Sequence, residues 1–420
     1  MKEDGLKKKL LRILYISQYF PPEIGATQTR AFEMASNLVR SGHRVTVLTE
    51  FPNHPLGVIP AQYRCKFITR ERMSGIDVIR TWVFTRSQKN FFVRLRFYLS
   101  FMFMSILRAV FIREKFDVVY ATSPPLFVAV SGFMIGLIKR CRFVLEVRDL
   151  WPESAVVLGE LTNKQFIALS ERLEIFLYRK AVWLVGVTRG ICNRLKERGV
   201  SETKLSFIPN GVNTDLYRPG EKNRLLLHSL GIDESCFIVT YTGLHGLIHG
   251  LDFVLKAACE LQSDPKLFFV FIGDGVRKQH LVDLAEQYRL KNVRFLNGVD
   301  EEKLPQYIQS FEAGLATTKK LAFCRGTLPV KMFSYMACAK PVLLCVEGEA
   351  KKILEDARAG LSIEPENVEQ LKKAILKLKN SPPLCQKMGQ AGRQFVETNY
   401  SRKQKAIELE ELLLKIVSKE

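Results

Sequence analysis

The chain has 420 residues, of which 47% are hydrophobic and 25% charged, with a formal net charge of +20 at pH 7. That length suits about two ordinary domains, and the globular composition, without repeats or low-complexity tracts, excludes solenoid and disordered classes. The charge is uneven: residues 1–210 hold 33 Lys and Arg against 17 Asp and Glu, and the remainder 30 against 26. The basic surplus therefore belongs to the first half, as in proteins that meet anionic lipids, pyrophosphates or nucleic acid, or that simply carry a solvated basic face.

Along the first half, strand and helix patterns alternate. Arg12–Phe20 is an apolar run of β-formers, followed by a turn at Pro21–Gly25. Thr27–Val39 places Ala31, Phe32, Ala35, Leu38 and Val39 at helical spacing. Gly42 stops that helix, and His43–Thr49 reads as a second strand. Val78–Phe84, Asp117–Ala121, Arg142–Val147 and Trp183–Val187 continue the series. A turn signal at Ile208–Gly211 interrupts it. A second series follows with Cys236–Thr242, the helix Leu251–Leu261, Leu267–Ile272, Val293–Leu296, Ala313–Ala316 and Pro341–Val346. Strands separated by helices predict two doubly wound α/β halves built on parallel sheets. The break divides the chain into residues 1–208 and 209–400, and residues 402–417 read as a final amphipathic helix with no assigned docking face.

Neither Phe97–Leu107 nor Leu126–Ile138 is long enough to cross a membrane, which takes about 20 apolar residues. Glu3 and Asp4 interrupt the basic N-terminus, unlike a signal peptide. The nine cysteines form no CxxC pair and no zinc-like cluster, as expected for small core residues of a reducing compartment. The stretch 91–113 mixes Arg94, Arg96, Arg108 and Arg113 with Phe, Leu, Met and Ile. It suits a helix lying in a lipid headgroup layer, or else a core helix of the first domain.

Ligands of doubly wound sheets bind beyond the carboxyl ends of the strands, and five such places carry chemistry. Pro21–Arg30 contains Glu23 and Gly25 before a helix start, an anion site or a plain capped turn. Val147–Ser154 carries Arg148, Asp149, Trp151 and Glu153 at a strand end. Asp149 suits a base or an orienter of an acceptor hydroxyl, unless Arg148 and Asp149 merely pair with each other. Tyr241–Gly250 holds Gly243, His245, Gly246 and His249 between strand and helix, a phosphate-cradling loop more than a metal site. Gly273 and Gly275 repeat the strand–glycine–helix pattern one unit later. In Arg325–Val342, Arg325 and Lys331 could neutralise a diphosphate leaving group.

Taken together, these segments resemble the family-4 glycosyltransferases of GT-B fold over nearly the whole chain. The segments that carry the likeness are Pro21–Arg30, Arg148–Ser154, Ile208–Tyr217, Tyr241–Leu251, Phe271–Gly275 and Leu328–Val342. Within that family the chain looks most like bacterial enzymes of O-antigen, capsule and exopolysaccharide assembly, including N-acetylfucosaminyl transferases. The resemblance implies two Rossmann-like domains facing a central cleft. The second would hold a nucleotide-sugar, UDP-linked in this reading, and the first an acceptor that is polyprenyl-pyrophosphate-linked or a saccharide. It implies retention of configuration with no cofactor and no metal, and Gly25 approaching the donor phosphates. It also implies a last helix (401–420) returning to the first domain. Gly243, His245, Gly246, Gly273, Gly275 and Ser334 fall at donor positions, and Glu23, Arg148, Trp151 and Glu153 become acceptor candidates. Asp149, Lys331 and Arg325 become the catalytic ones. Two family glutamates fall at Gly326 and Ser334 here. The expected place of work is the cytoplasmic face of a membrane, with an anionic membrane surface as partner and no nucleic acid. A turnover-impaired homologue and a nucleotide-sugar 2-epimerase of the same fold are the competing readings.

Overall fold

A computed structural model describes residues 9–418 except 24, 54–56, 87–90, 158 and 160. The N-terminal segment with Glu3 and Asp4 lies outside the described residues. The chain forms two compact units, residues 1–209 with 403–420, and residues 210–402.

The strands of the first unit are β1 (Arg12–Ile16), β2 (Arg44–Glu50), β3 (Ile68–Met73), β4 (Ile76–Thr81), β5 (Val118–Ser123), β6 (Arg142–Val147), β7 (Trp183–Gly186) and β8 (Leu205–Phe207). They form one sheet in the order β3-β4-β2-β1-β5-β6-β7-β8. All pairings are parallel except β3 with β4. That hairpin corrects the all-parallel expectation: every second residue of β3 is exposed, so the segment lacks the apolar run of a covered strand. Every residue of β5 is buried, because helices cover both faces of the sheet there. The helices α1 (Ala26–Arg40), α2 (Phe91–Val110), α3 (Leu126–Lys139), α4 (Glu153–Val157) and α5 (Lys164–Lys180) connect the strands. A side chain at Gly132 of α3 would lie 2.6 Å from the Phe143 ring, so the helix seats closely on β6 only because that position is glycine.

The closing helix Arg402–Ser418 buries Ala406, Leu409, Leu412, Leu413 and Ile416 in the core that Ile13, Tyr15, Leu38 and Val45 also build. Its Glu410 sits 3.0 Å from His43 Nε2 and accepts from Ser41 Oγ at 2.8 Å. The Leu11 N–H donates to His43 Nδ1 at 3.0 Å, which leaves Nε2 as the protonated nitrogen facing Glu410.

The second unit has a six-stranded parallel sheet, β9 (Phe237–Thr242), β10 (Leu267–Ile272), β11 (Val293–Leu296), β12 (Ala313–Thr317), β13 (Val342–Cys345) and β14 (Gly360–Ser362), in the order β11-β10-β9-β12-β13-β14. The central β9 is wholly buried. The order reverses direction next to β9, the place where doubly wound sheets open a ligand crevice. Among the described residues, no helix is long and apolar enough to cross a membrane, and all nine cysteines are free.

Candidate active site

In the second unit, two glycine loops interlock at the ends of β9 and β10. Gly243 N donates to Ile272 O at 2.8 Å, His245 N to Asp274 O at 2.9 Å, and Arg277 N to His245 O at 3.0 Å. A Cβ at Gly273 would lie 2.0 Å from Gly243 O, and one at Gly275 would lie 2.5 Å from His245 O. Glycine is required at both positions because two backbones cross there. Gly243 itself turns with φ +120°.

The helix Val330–Ala337 brings Lys331 to this crossing. Tyr335 packs over Gly314 of β12, where a Cβ would meet its ring at 2.1 Å, and its hydroxyl accepts from Thr242 N at 2.8 Å. Lys331, one turn earlier on the same face, then points at the root of the Gly243 loop. Its Nζ stands 3.4 Å from the centre of the Tyr241 ring and is shut off from solvent with no hydrogen-bond partner. Burial holds its pKa well below the usual lysine value. The ring quadrupole offsets part of that cost, but a desolvated amine without a hydrogen-bond partner beside the glycine loops remains a place prepared for an anion.

His245 is fully buried, and neither ring nitrogen has a hydrogen-bond partner. Burial, then Lys278 and Lys331, push its pKa down to about 4, so the ring is neutral at pH 7. His249 is pushed down to about 3, mainly by burial, and its Nδ1 accepts from Gly246 N at 3.3 Å. These rings shape the loop. Among the described residues no group of three His, Cys, Asp or Glu is arranged for a metal ion. Ser334 is buried on the helix that carries Lys331. Arg325 lies at the surface, paired with Glu347 at 3.0 Å, while its carbonyl backs onto Gly348. A Cβ at Gly326 would meet nothing within 4 Å.

In the first unit the predicted acceptor residues gather at the ends of β1, β2 and β6. Gly25 precedes α1 in extended conformation. Glu23 is buried and accepts from Asn53 N at 2.7 Å. Beside it, Glu50 accepts from Gln18 Nε2 and Asn53 Nδ2, each at 2.7 Å. Burial, with Glu23 adding to it, pushes the Glu50 carboxyl well up. Asp149 is raised by burial, against hydrogen bonds from Ser154 and the Leu150 backbone, a direction that suits a general base. Arg148 does not pair with Asp149. Its strongest attraction is to Glu146, and its Nε and Nη1 are buried without a partner. Glu153 is held by Arg194 at 3.1 Å and Arg198 at 2.6 Å, and Trp151 joins an aromatic cluster with Phe127 and Phe166.

Sequence reasoning did not find the polar network beneath these residues. Arg30 bonds Glu146 at 2.7 and 3.0 Å and also donates to the carbonyls of Ile208 and Pro209. Tyr120 and Thr122 complete the carboxylate at 2.7 and 2.8 Å. Burial pushes Glu146 up, but Arg30, Arg148 and Tyr120 outweigh it and leave its pKa below the usual value. A glutamate inside an apolar strand run was the one available signal.

Comparison with known proteins agrees with this geometry. Residues 25–211 match the family model "Glycosyl transferase 4-like domain" and residues 227–395 match "Glycosyl transferases group 1". A glycosyl transferase named for colanic acid biosynthesis, WcaI of Escherichia coli K12, is 25% identical over 86% of this chain and 90% of its own length. The fold matches sucrose-phosphate synthase of Thermosynechococcus elongatus with TM-score 0.75, at 17% identity over 98% of this chain and 100% of that one. It also matches HepE of Anabaena, solved with UDP and glucose, with TM-score 0.71, at 16% identity over 96% and 99%. Two glycosyltransferase family models in succession, on two Rossmann-like units, establish that the chain belongs to the family-4 glycosyltransferases of GT-B fold.

Proposed function

We propose that this glycosyltransferase moves a sugar from a UDP-sugar to a lipid-linked or saccharide acceptor during assembly of a bacterial surface polysaccharide, with retention of configuration and without a metal ion. N-acetylated deoxysugars are among the candidate donors. The carrying observation is the buried, unpartnered Lys331 amine against the interlocked glycine loops. In this reading Lys331, with Arg325, balances the charge that develops on the leaving diphosphate. Gly243, His245, Gly246, Gly273, Gly275 and Ser334 shape the donor site. Glu23, Arg148, Trp151 and Glu153 hold the acceptor, and Asp149 orients or deprotonates its hydroxyl. The UDP and glucose bound to HepE and the colanic acid name of WcaI support the donor class and the pathway type.

Thermal shifts against UDP, GDP, TDP, CMP and their sugars test this. UDP at a hundredfold excess over its Kd adds about 2.7 kcal/mol of apparent stability, and EDTA leaves the shift unchanged. Silence across the panel removes the donor reading and favours a homologue impaired by its Gly326 and Ser334.

The acceptor class places the enzyme at the cytoplasmic face of a membrane. Only Phe101, Ser105 and Ala109 of α2 are buried, while Phe92, Phe103, Leu107 and Val110 are exposed. The chain is expected to sediment with anionic liposomes at low ionic strength and to be released by salt. No sedimentation at low salt refutes this placement.

A further inference from the structure

Beside Trp151 the first unit holds a cavity of about 170 Å3. Its walls come from Phe91, Leu95 and Tyr98 of α2, Phe127 of α3, Trp151, and Phe166 of α5. The rings brace one another. Phe91 meets Phe166 edge-on at 5.3 Å, Trp151 meets Phe166 at 6.4 Å, and Phe127 meets Trp151 at 6.1 Å. Walls fixed in this way keep the space open rather than letting it collapse. This half-open pocket, lined mainly by aromatic rings, is wide enough for a branched group of about five or six carbons. Among the described residues of the lining, Arg94 carries the charge. Trp151 follows Arg148 and Asp149 at the end of β6, so the cavity adjoins the segment already assigned to the acceptor. On the same helix as Arg94, Phe92 and Phe103 are exposed.

We propose that this cavity seats the isoprenyl group nearest the diphosphate of a polyprenyl-diphosphate acceptor, with Arg94 meeting the diphosphate charge. The assignment rests on the acceptor class proposed above and adds where its hydrocarbon is held. An isoprenyl diphosphate matches the site in both parts: a compact branched hydrocarbon for the aromatic walls and an anionic head for the guanidinium.

All three tryptophans, Trp82, Trp151 and Trp183, belong to the first unit, so intrinsic fluorescence of the full chain reads this region. Farnesyl diphosphate is expected to quench it saturably, and the quench should vanish in Trp151→Phe. Inorganic pyrophosphate at equal concentration should give none. Leu95→Trp, which fills the cavity, should weaken binding by about tenfold or more, read as displacement of a radiolabelled ligand. Arg94→Gln should weaken farnesyl diphosphate but not farnesol. Ala155 of α4 also lines the cavity, so Ala155→Leu serves if Leu95→Trp fails to fold, and a retained UDP-induced thermal shift certifies either variant. Equal binding of dodecyl phosphate, unchanged binding in the filled variants, or no saturable quench overturns the assignment. Loss of the UDP shift with the farnesyl response intact would overturn the donor reading alone.

Discussion

Replacing Lys331 with methionine is expected to abolish the UDP-induced thermal shift and lower sugar transfer by about 10²–10³-fold, the usual cost of removing one preorganised charge partner. The same variant should melt higher than the parent when unliganded. The amine is buried with no hydrogen-bond partner, and an apolar side chain of similar length removes a desolvation cost of about 1–3 kcal/mol. A loss of function coupled to a gain of stability marks a side chain kept for its ligand.

The pH dependence follows with a definite sign. Unfolded, the amine titrates near 10.5; folded and empty, burial holds it well below that. Between the two values the unfolded chain carries the extra proton, so stability of the empty protein climbs with pH, and Lys331→Met flattens that slope. Nucleotide binding works in the opposite sense. A diphosphate beside the amine restores its charge, so binding takes up a proton and affinity falls as pH rises between the free and bound pKa values. Calorimetry in buffers of different ionisation enthalpy measures that uptake. Binding of UDP by Lys331→Met with parent affinity, or a lower melting temperature of the empty variant, would refute this role.

Arg30→Ala is expected to cost about 3–5 kcal/mol in the first unit, the range for breaking a buried ion pair from one side. It leaves Glu146 fully buried beneath Tyr120 and Thr122, and it frees the carbonyls of Ile208 and Pro209. Urea unfolding followed by tryptophan fluorescence reads this unit. In the parent, the lowered Glu146 pKa contributes stability above the unfolded carboxylate value, and that contribution is lost as pH falls through the folded one. In Arg30→Ala burial dominates and the carboxyl rises, so the group favours the folded state as pH falls. Arg30→Met with Glu146→Leu should recover part of the loss, because it removes both partners of the ion pair together, while Arg148 loses the attraction of Glu146. An Arg30→Ala loss below about 1 kcal/mol, within the range of ordinary surface changes, would remove the network from the account of this fold.

The sequence by itself determined the two doubly wound α/β halves and most of their strands. Arg142–Val147 and Leu267–Ile272 lie where their apolar runs place them, because a strand covered on both faces writes its burial into consecutive residues. Three short or edge strands were not legible. β8 and β14 have three residues each, and β3 alternates exposed with half-buried positions, so none carries such a run. The glycine loops were legible too, since crossing backbones leave no room for a side chain.

Tertiary structure alone decided which distant groups meet. Tyr335 reaches Thr242 across 93 residues of sequence and Arg30 reaches Glu146 across 116. It also set the contrast between two basic residues that read alike in sequence, Arg325 paired at the surface and Lys331 enclosed without a hydrogen-bond partner. Local pattern reports the burial of a residue's own segment. The partner of a buried polar group is fixed by which strands the sheet order places side by side, and no single segment encodes that order.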